Sequence, residues 1–296
     1  MRAFLQEVLN HSKDLFTDTV IQNIDSVTGG CIHSAWKVEL HNGQKLFAKT
    51  TSREEFPKLS FEAKGLNILN KFTDPNLLII PKPLLLKTLG NNSVLLLPWI
   101  ELSNSSQISL GKGLASMHKS SNAKHPGKFG FDLDGFIGIS PQPEGWENSW
   151  GECFVNLRLI PQLKLAKQWG LNIKDWGKFL NILIEYLNGH QPTPSLVHGD
   201  LWSGNAANHE DGKGVIFDPA VWWADREVDL AMTKLFGGFR KEFYTAYESI
   251  WPLPTSSKER VEIYNLYHLL NHANMFRGSY IIQSLNLLEL ISQRIK

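Results

Sequence analysis

The stretch His198-Gly199-Asp200-Leu201-Trp202-Ser203-Gly204-Asn205, with Asp218 thirteen residues beyond Asn205, constrains this 296-residue chain more than any other feature. Phosphoryl transfer requires a carboxylate that holds and deprotonates the attacking hydroxyl, and hard oxygen ligands for magnesium beside a triphosphate. An Asp, an Asn five positions on, and a second Asp at the end of a short β-prone run supply that set in the order of a kinase catalytic loop. The spacing assigns Asp200 as base, Asn205 and Asp218 as Mg2+ ligands, and His198 as a support for the loop. A lone His-Gly-Asp is ordinarily a turn with a capping carboxylate. The ordered set, rather than the tripeptide, points to this chemistry.

Such a loop needs a nucleotide-binding element upstream, and the first third of the chain supplies candidates. Trp36–Leu40 and Gln44–Thr50 flank His41-Asn42-Gly43, whose Asn-Gly pair favours a tight hairpin. Glu55–Phe72 then changes to helical spacing, with Phe61, Leu66, Leu69 and Phe72 on one stripe before Asp74-Pro75 ends it. Lys49 closes the second hairpin strand and Glu62 lies on the helix that follows, so an ion pair between them would aim the ammonium at the α- and β-phosphates of ATP. Each alone would read as an ordinary solvated charge. Thr28-Gly29-Gly30-Cys31-Ile32-His33 precedes the hairpin, where amides around Gly29 and Gly30 would cover phosphates; a plain turn also uses adjacent glycines. Leu77–Ile80, Leu84–Lys87 and Ser93–Leu97 are expected to complete the same small sheet. The lobe boundary falls at Pro98, with Pro98, Trp99 and Ile100 as a nucleotide-contacting hinge.

Beyond Pro98, Leu110–His118, Trp150–Trp169, Trp176–Gly189 and Val261–Ile295 carry apolar residues at helical spacing. Gly127–Gly151, rich in Gly, Pro and aromatics, reads as a long ordered loop that lies against the cleft. Trp146, Trp150 and Arg158 suit either core packing or the wall of a sugar site. The expected fold class is α+β: a two-lobed, protein-kinase-like fold with a β-rich nucleotide-binding lobe, 1–98, and a mainly α catalytic and substrate-binding lobe, 99–296.

Charge and composition narrow the partners. With 30 basic and 29 acidic residues the net charge is +1, which leaves no electrostatic footprint for nucleic acid or an anionic membrane. No apolar run approaches the roughly 20 residues of a spanning helix. The opening MRAFLQEVLNHSKDLF lacks the apolar core of a signal peptide, and Cys31 and Cys153 form no CxxC. These features suggest a cytoplasmic protein, monomeric or weakly dimeric. Cys31 sits among loop amides that would favour a thiolate and make it a redox candidate, although a small residue fitted to a tight turn is the simpler explanation.

Several segments resemble the fructosamine and ketosamine kinases: Leu196 to Asn205, Phe217-Asp218-Pro219-Ala220 and the run from Asp225 to Phe239 (DREVDLAMTKLFGGF). Gly29-Gly30-Cys31-Ile32, Phe47-Ala48-Lys49, Phe129-Gly130-Phe131 and Tyr267 to His272 extend the resemblance over almost the whole chain. His-Gly-Asp with a later carboxylate is shared with aminoglycoside phosphotransferases and choline kinases, whereas Trp202 and the Asp225–Phe239 run point to the narrower group. Trp222-Trp223-Ala224 stands where two tyrosines and a glycine are expected, His33 where Asn is common, and Pro98 where the hinge often has Glu. These departures leave the ATP chemistry intact and bear on substrate preference. The resemblance implies phosphorylation of the sugar 3-hydroxyl of a ketoamine, either a small molecule or a glycated lysine on a protein. Later loss of the C3 phosphate would release the amine, a repair of glycated amines. It also implies that Asp229 supports the catalytic loop, while Asp225 and Arg226 are structural or touch the sugar. Two other readings use the same residues. An aminoglycoside-, choline- or thiosugar-type kinase is one, although near-neutral charge poorly suits a polycationic acceptor. A catalytically inactive kinase-like binding module is the other, against which the complete set of Lys49, Glu62, Asp200, Asn205 and Asp218 argues.

Overall fold

A computed structural model describes residues 1–16, 18–27, 34–172 and 176–295. Its first part is a five-stranded antiparallel sheet in the spatial order Ile21–Val27, Ser34–Leu40, Lys45–Ser52, Asn92–Pro98, Leu85–Leu89. The expected hairpin turns at Asn42-Gly43, where Gly43 takes a φ of 83° that the absent side chain permits. Alternation along the strands then sorts the residues by face. Leu46, Ala48, Val94 and Leu96 pack on Leu5, Val8 and Leu9 of the helix Arg2–Asn10. Phe47, Lys49, Leu95 and Leu97 consequently point to the other side, towards the cleft. Each fully buried leucine is worth about 1.5–3 kcal/mol over an exposed one, so this alternation fixes the register that carries Lys49.

The helix Phe56–Asn70 buries Leu59, Glu62, Leu66 and Leu69, a stripe at intervals of three and four that includes the glutamate. Leu78–Ile79 departs from expectation. It pairs in parallel with Gly214–Ile216 in a second sheet, whose other members are Ala206–His209 and Leu102–Ser103. Pro81-Lys82-Pro83 interrupts the chain between this segment and the first sheet, because proline lacks the N–H that would continue a ladder.

Beyond Pro98 the helices Ile108–Asn122, Trp176–His190, Glu227–Leu235, Lys241–Ile250, Ser257–Phe276 and Ser279–Arg294 surround the main core. The run predicted over Trp150–Trp169 is helical but passes through a π segment, Cys153–Leu159. The segment read as a loop contains four short strands, Phe129–Phe131, Gly135–Ile137, Ser140–Gln142 and Gly145–Glu147. Three residues are too few to display alternation, which is why they escaped the sequence pattern. Phe129–Phe131 lies beside Trp222–Ala224, which pairs with Ser195–Val197 and so anchors the strand leading into His198. Among the described residues, no helix is long and apolar enough to cross a membrane. The mixed α+β, protein-kinase-like arrangement matches the sequence expectation.

Candidate active site

Buried strand Ser195–Val197 delivers the chain to a tight passage at Gly199. There φ is 84°, and a Cβ would stand 2.0 Å from the Ala220 carbonyl oxygen, so only glycine fits. The Ala220 amide donates to the His198 carbonyl at 2.8 Å, joining the loop to the segment after Asp218. The ladder between Ala206–His209 and Gly214–Ile216 ends with the Phe217 amide donating to the Asn205 carbonyl at 3.1 Å. Asn205 and Asp218 thereby flank one hairpin end beside Asp200. All three line a cavity of ≈ 560 Å³ between the first sheet and the helical part.

The side-chain amide of Asn205 donates to the Asp200 carbonyl at 2.9 Å and to its carboxylate at 3.2 Å. With the nitrogen so engaged, Oδ1 is the atom left to serve as a ligand. Burial, reinforced by the negative charge of Asp218, pushes the Asp200 carboxyl up to about 7. Two carboxylates and an amide oxygen at one cavity end are a donor set that suits a hard divalent cation such as Mg2+.

Opposite them, Lys49 Nζ lies 2.8 Å from Glu62 Oε1 and also pairs with Asp218, bringing the two halves of the molecule together. Burial pulls the Lys49 pKa down, but the Asp218 and Glu62 carboxylates outweigh it and the net shift is upward. Glu62 is itself raised, chiefly by burial. Pro98, Trp99 and Ile100 line the same cavity, as does Trp202. Val27 and Ala35 do too; they border Gly29, Gly30, Cys31 and His33, which lie outside the described residues.

His198 stands behind the cavity. Its Nε2–H donates to the Phe217 carbonyl at 2.9 Å, its Nδ1 faces the Asp200 amide at 3.3 Å, and burial keeps the ring neutral by lowering its pKa. Asp229, fully buried, accepts the His198 and Gly199 amides at 2.7 and 2.8 Å and a bond from His118 Nε2 at 3.1 Å. Burial would raise the Asp229 pKa, yet these donors hold it below the usual value. His118, unmarked in the sequence pattern, is in turn bonded at Nδ1 to the Tyr247 hydroxyl at 2.9 Å.

Asp225 and Arg226 are not brought to this cavity. Asp225 accepts the Tyr264 hydroxyl at 2.6 Å, and Arg226 donates to Tyr247, Trp251 and Pro252 while lying 3.9 Å over the Trp251 ring. Trp150 and Arg158 also pack inward, each meeting the ring of Trp222. Cys153 is buried, its thiol pushed up to about 12 by burial. Cavity residues that sequence reasoning passed over are Phe136, Gly138, Asn271, His272, Met275 and Phe276. The last four belong to or follow the run Tyr267–His272, whose resemblance was the available signal.

The family model for fructosamine kinase matches residues 4–294. A "probable ketoamine kinase" of Synechocystis sp. is 38% identical over 272 residues, covering 91% of this chain and 90% of its own. One from Vibrio parahaemolyticus is 37% identical over 262 residues, 87% of this chain and 88% of its own. Among solved structures, a candidate fructosamine-3-kinase from Haemophilus somnus has a TM-score of 0.85 and 29% identity over 97% of this chain and 96% of its own. An aminoglycoside phosphotransferase shares the fold at a TM-score of 0.60 and 14% identity, covering 98% of this chain and 96% of its own. The chain belongs to the fructosamine kinase family and is an ATP-dependent phosphotransferase acting on a hydroxyl group.

Proposed function

We propose that the protein transfers the γ-phosphoryl group of ATP to the sugar 3-hydroxyl of a ketoamine. The observation that carries this reading is the convergence of Asp200, Asn205, Asp218 and the Lys49–Glu62 pair on one cavity, in a chain of the fructosamine kinase family. In this reading Asp200 accepts the hydroxyl proton, and its raised pKa suits a base working near neutrality. Lys49, aimed by Glu62, holds the α- and β-phosphates. The apolar slot of Val27, Ala35, Phe47 and Leu97, closed by Pro98 to Ile100, suits an adenine ring. Asn205 and Asp218 would hold Mg2+, which would supply positive charge to offset that of the phosphates. His198 and Asp229 set the loop backbone from behind. A phosphorylated C3 becomes a leaving group once the adduct enolises, so the product would release its amine, a repair of glycated amines or proteins.

A coupled assay of ADP release with ribulosyllysine, fructosyllysine, choline and kanamycin tests the assignment. Turnover is expected on one or both sugar adducts, and faster turnover of choline or kanamycin would replace it with a neighbouring acceptor class. The same assay without Mg2+ should show little activity.

A further inference from the structure

Five rings meet at the mouth of the cavity on the side of Trp202. Phe236 and His272 have centroids 4.6 Å apart, His272 and Tyr280 5.2 Å, His272 and Phe276 5.7 Å, and Trp202 stands edge-on to Phe236 at 6.2 Å. Trp202, His272 and Phe276 line the same cavity as Asp200, while Phe236 and Tyr280 back them.

Three features separate this group from ordinary core packing. Phe276 is 48% exposed although apolar neighbours are at hand. The chain leaves it through Arg277 at φ 60° and Gly278 at φ 58°, and the first is a strained conformation for a side-chain-bearing residue. That turn ends one helix and starts the next with Phe276 and Tyr280 both at the ring cluster, 6.3 Å apart. On the catalytic-loop side, a Cβ on Gly204 would come within 2.3 Å of the Trp202 ring, so the glycine gives the indole its place. An exposed aromatic surface inside a substrate cavity is a binding surface awaiting an apolar or cationic partner.

The cluster brings no charge of its own. His272 donates from Nδ1 to the His268 carbonyl at 2.9 Å, and burial lowers its pKa, so the ring is neutral and does not repel a substrate cation. Asn271, Met275 and Phe276, its companions in the cavity from the same helix, are uncharged as well. A polyamine therefore finds no carboxylate on this wall, whereas a secondary ammonium bearing an apolar group finds ring faces.

Resting on the ketoamine reading above, we propose that Trp202, His272 and Phe276 form an amine-side subsite selecting ketoamines whose nitrogen carries an apolar or aromatic substituent. The sugar would reach Asp200 while the substituent lies on the rings.

The test uses three amines, benzylamine, glycine and putrescine, each as its ribulosyl and its fructosyl adduct, assayed as kcat/KM with the wild-type enzyme, Phe276→Ala and Phe276→Tyr. Wild type should prefer the benzylamine adduct. In Phe276→Ala the benzylamine-to-glycine ratio should fall roughly tenfold, the scale of one aromatic contact plus a cation–π contribution, and Phe276→Tyr should restore it. Wild-type rates that do not depend on the amine, or a preference for putrescine, would overturn the subsite and leave the ketoamine reading standing. Turnover of none of these adducts would overturn both. Melting curves identify a variant that fails to fold, in which case the wild-type ranking still decides.

Discussion

Burial of Asp200, with repulsion from Asp218 across one end of the cavity adding to it, pushes the Asp200 carboxyl up to about 7. A base in that range is half ionised at neutral pH. The acidic limb of kcat/KM should therefore bend near pH 7, since that profile reports the free enzyme. A limb confined below pH 5 would remove Asp200 from the base role. The same shift has a consequence for stability. The folded protein keeps the Asp200 proton where the unfolded chain has lost it, so the contribution present below pH 4 is lost as pH rises through about 7. Asp200→Asn should thus melt higher than wild type at pH 8, with the difference shrinking at pH 5. Its kcat should fall by roughly 10² to 10⁴, the usual worth of positioned acid–base catalysis. A variant that loses activity and also melts lower at pH 8 would point to a structural role instead.

The ion pair Lys49–Glu62 joins a strand to a helix, and both partners are seated by the periodicity of their elements. Glu62→Gln keeps the stripe but removes the charge that aims the ammonium. Charge-assisted bonds are worth about 1.5–3 kcal/mol, so kcat/KM for ATP should drop roughly tenfold to a hundredfold. Unchanged ATP kinetics would show that Asp218 alone suffices to orient Lys49. This pair was legible in the sequence because strand and helix were each long enough to show their period. The same holds for the hairpin at Asn42-Gly43 and for the helices around the core. The short strands between Phe129 and Glu147 were not legible, nor was the pairing of Leu78 with Gly214, because such contacts are set by tertiary partners far along the chain. In the site, the acid and amide residues declared themselves by spacing. His118 did not, since a buried histidine on an apolar helix face looks like any core residue until Asp229 and Tyr247 are seen on either side of it. The segment Asp225–Asp229 divides the same way. Asp229 reaches the loop, while Asp225 and Arg226, four and three residues before it, bond instead to Tyr264 and to the carbonyls of Trp251 and Pro252.

At the scale of the whole molecule, the two halves meet through the cavity and through strands that cross between them. Leu78–Ile79 precedes Pro98 in the chain yet belongs to the sheet of Ala206–His209 and Gly214–Ile216. We propose Pro98 as the boundary in sequence, with this strand as a tether across it. Lys49 and Asp218 hold the cavity walls to each other. Phosphates would take over the Lys49 contact and a divalent cation the Asp218 one, so ligand binding exchanges one bridge between the halves for another. Binding to the folded state alone adds about 2.7 kcal/mol at 100 times the dissociation constant. At about 2–4 °C per kcal/mol for a chain somewhat smaller than this one, and less for a longer chain, saturating ATP with Mg2+ should raise Tm by roughly 4–5 °C. With EDTA in place of Mg2+ the rise should be clearly smaller, because the triphosphate then meets the carboxylates without a cation between them. Asp218→Asn should reduce the difference between the Mg2+ and EDTA arms, as the carboxylate that distinguishes them is gone. Equal shifts in both arms for the wild-type protein would mean that nucleotide binds without the metal. No shift with either would favour a binding module that has kept its catalytic residues without using them.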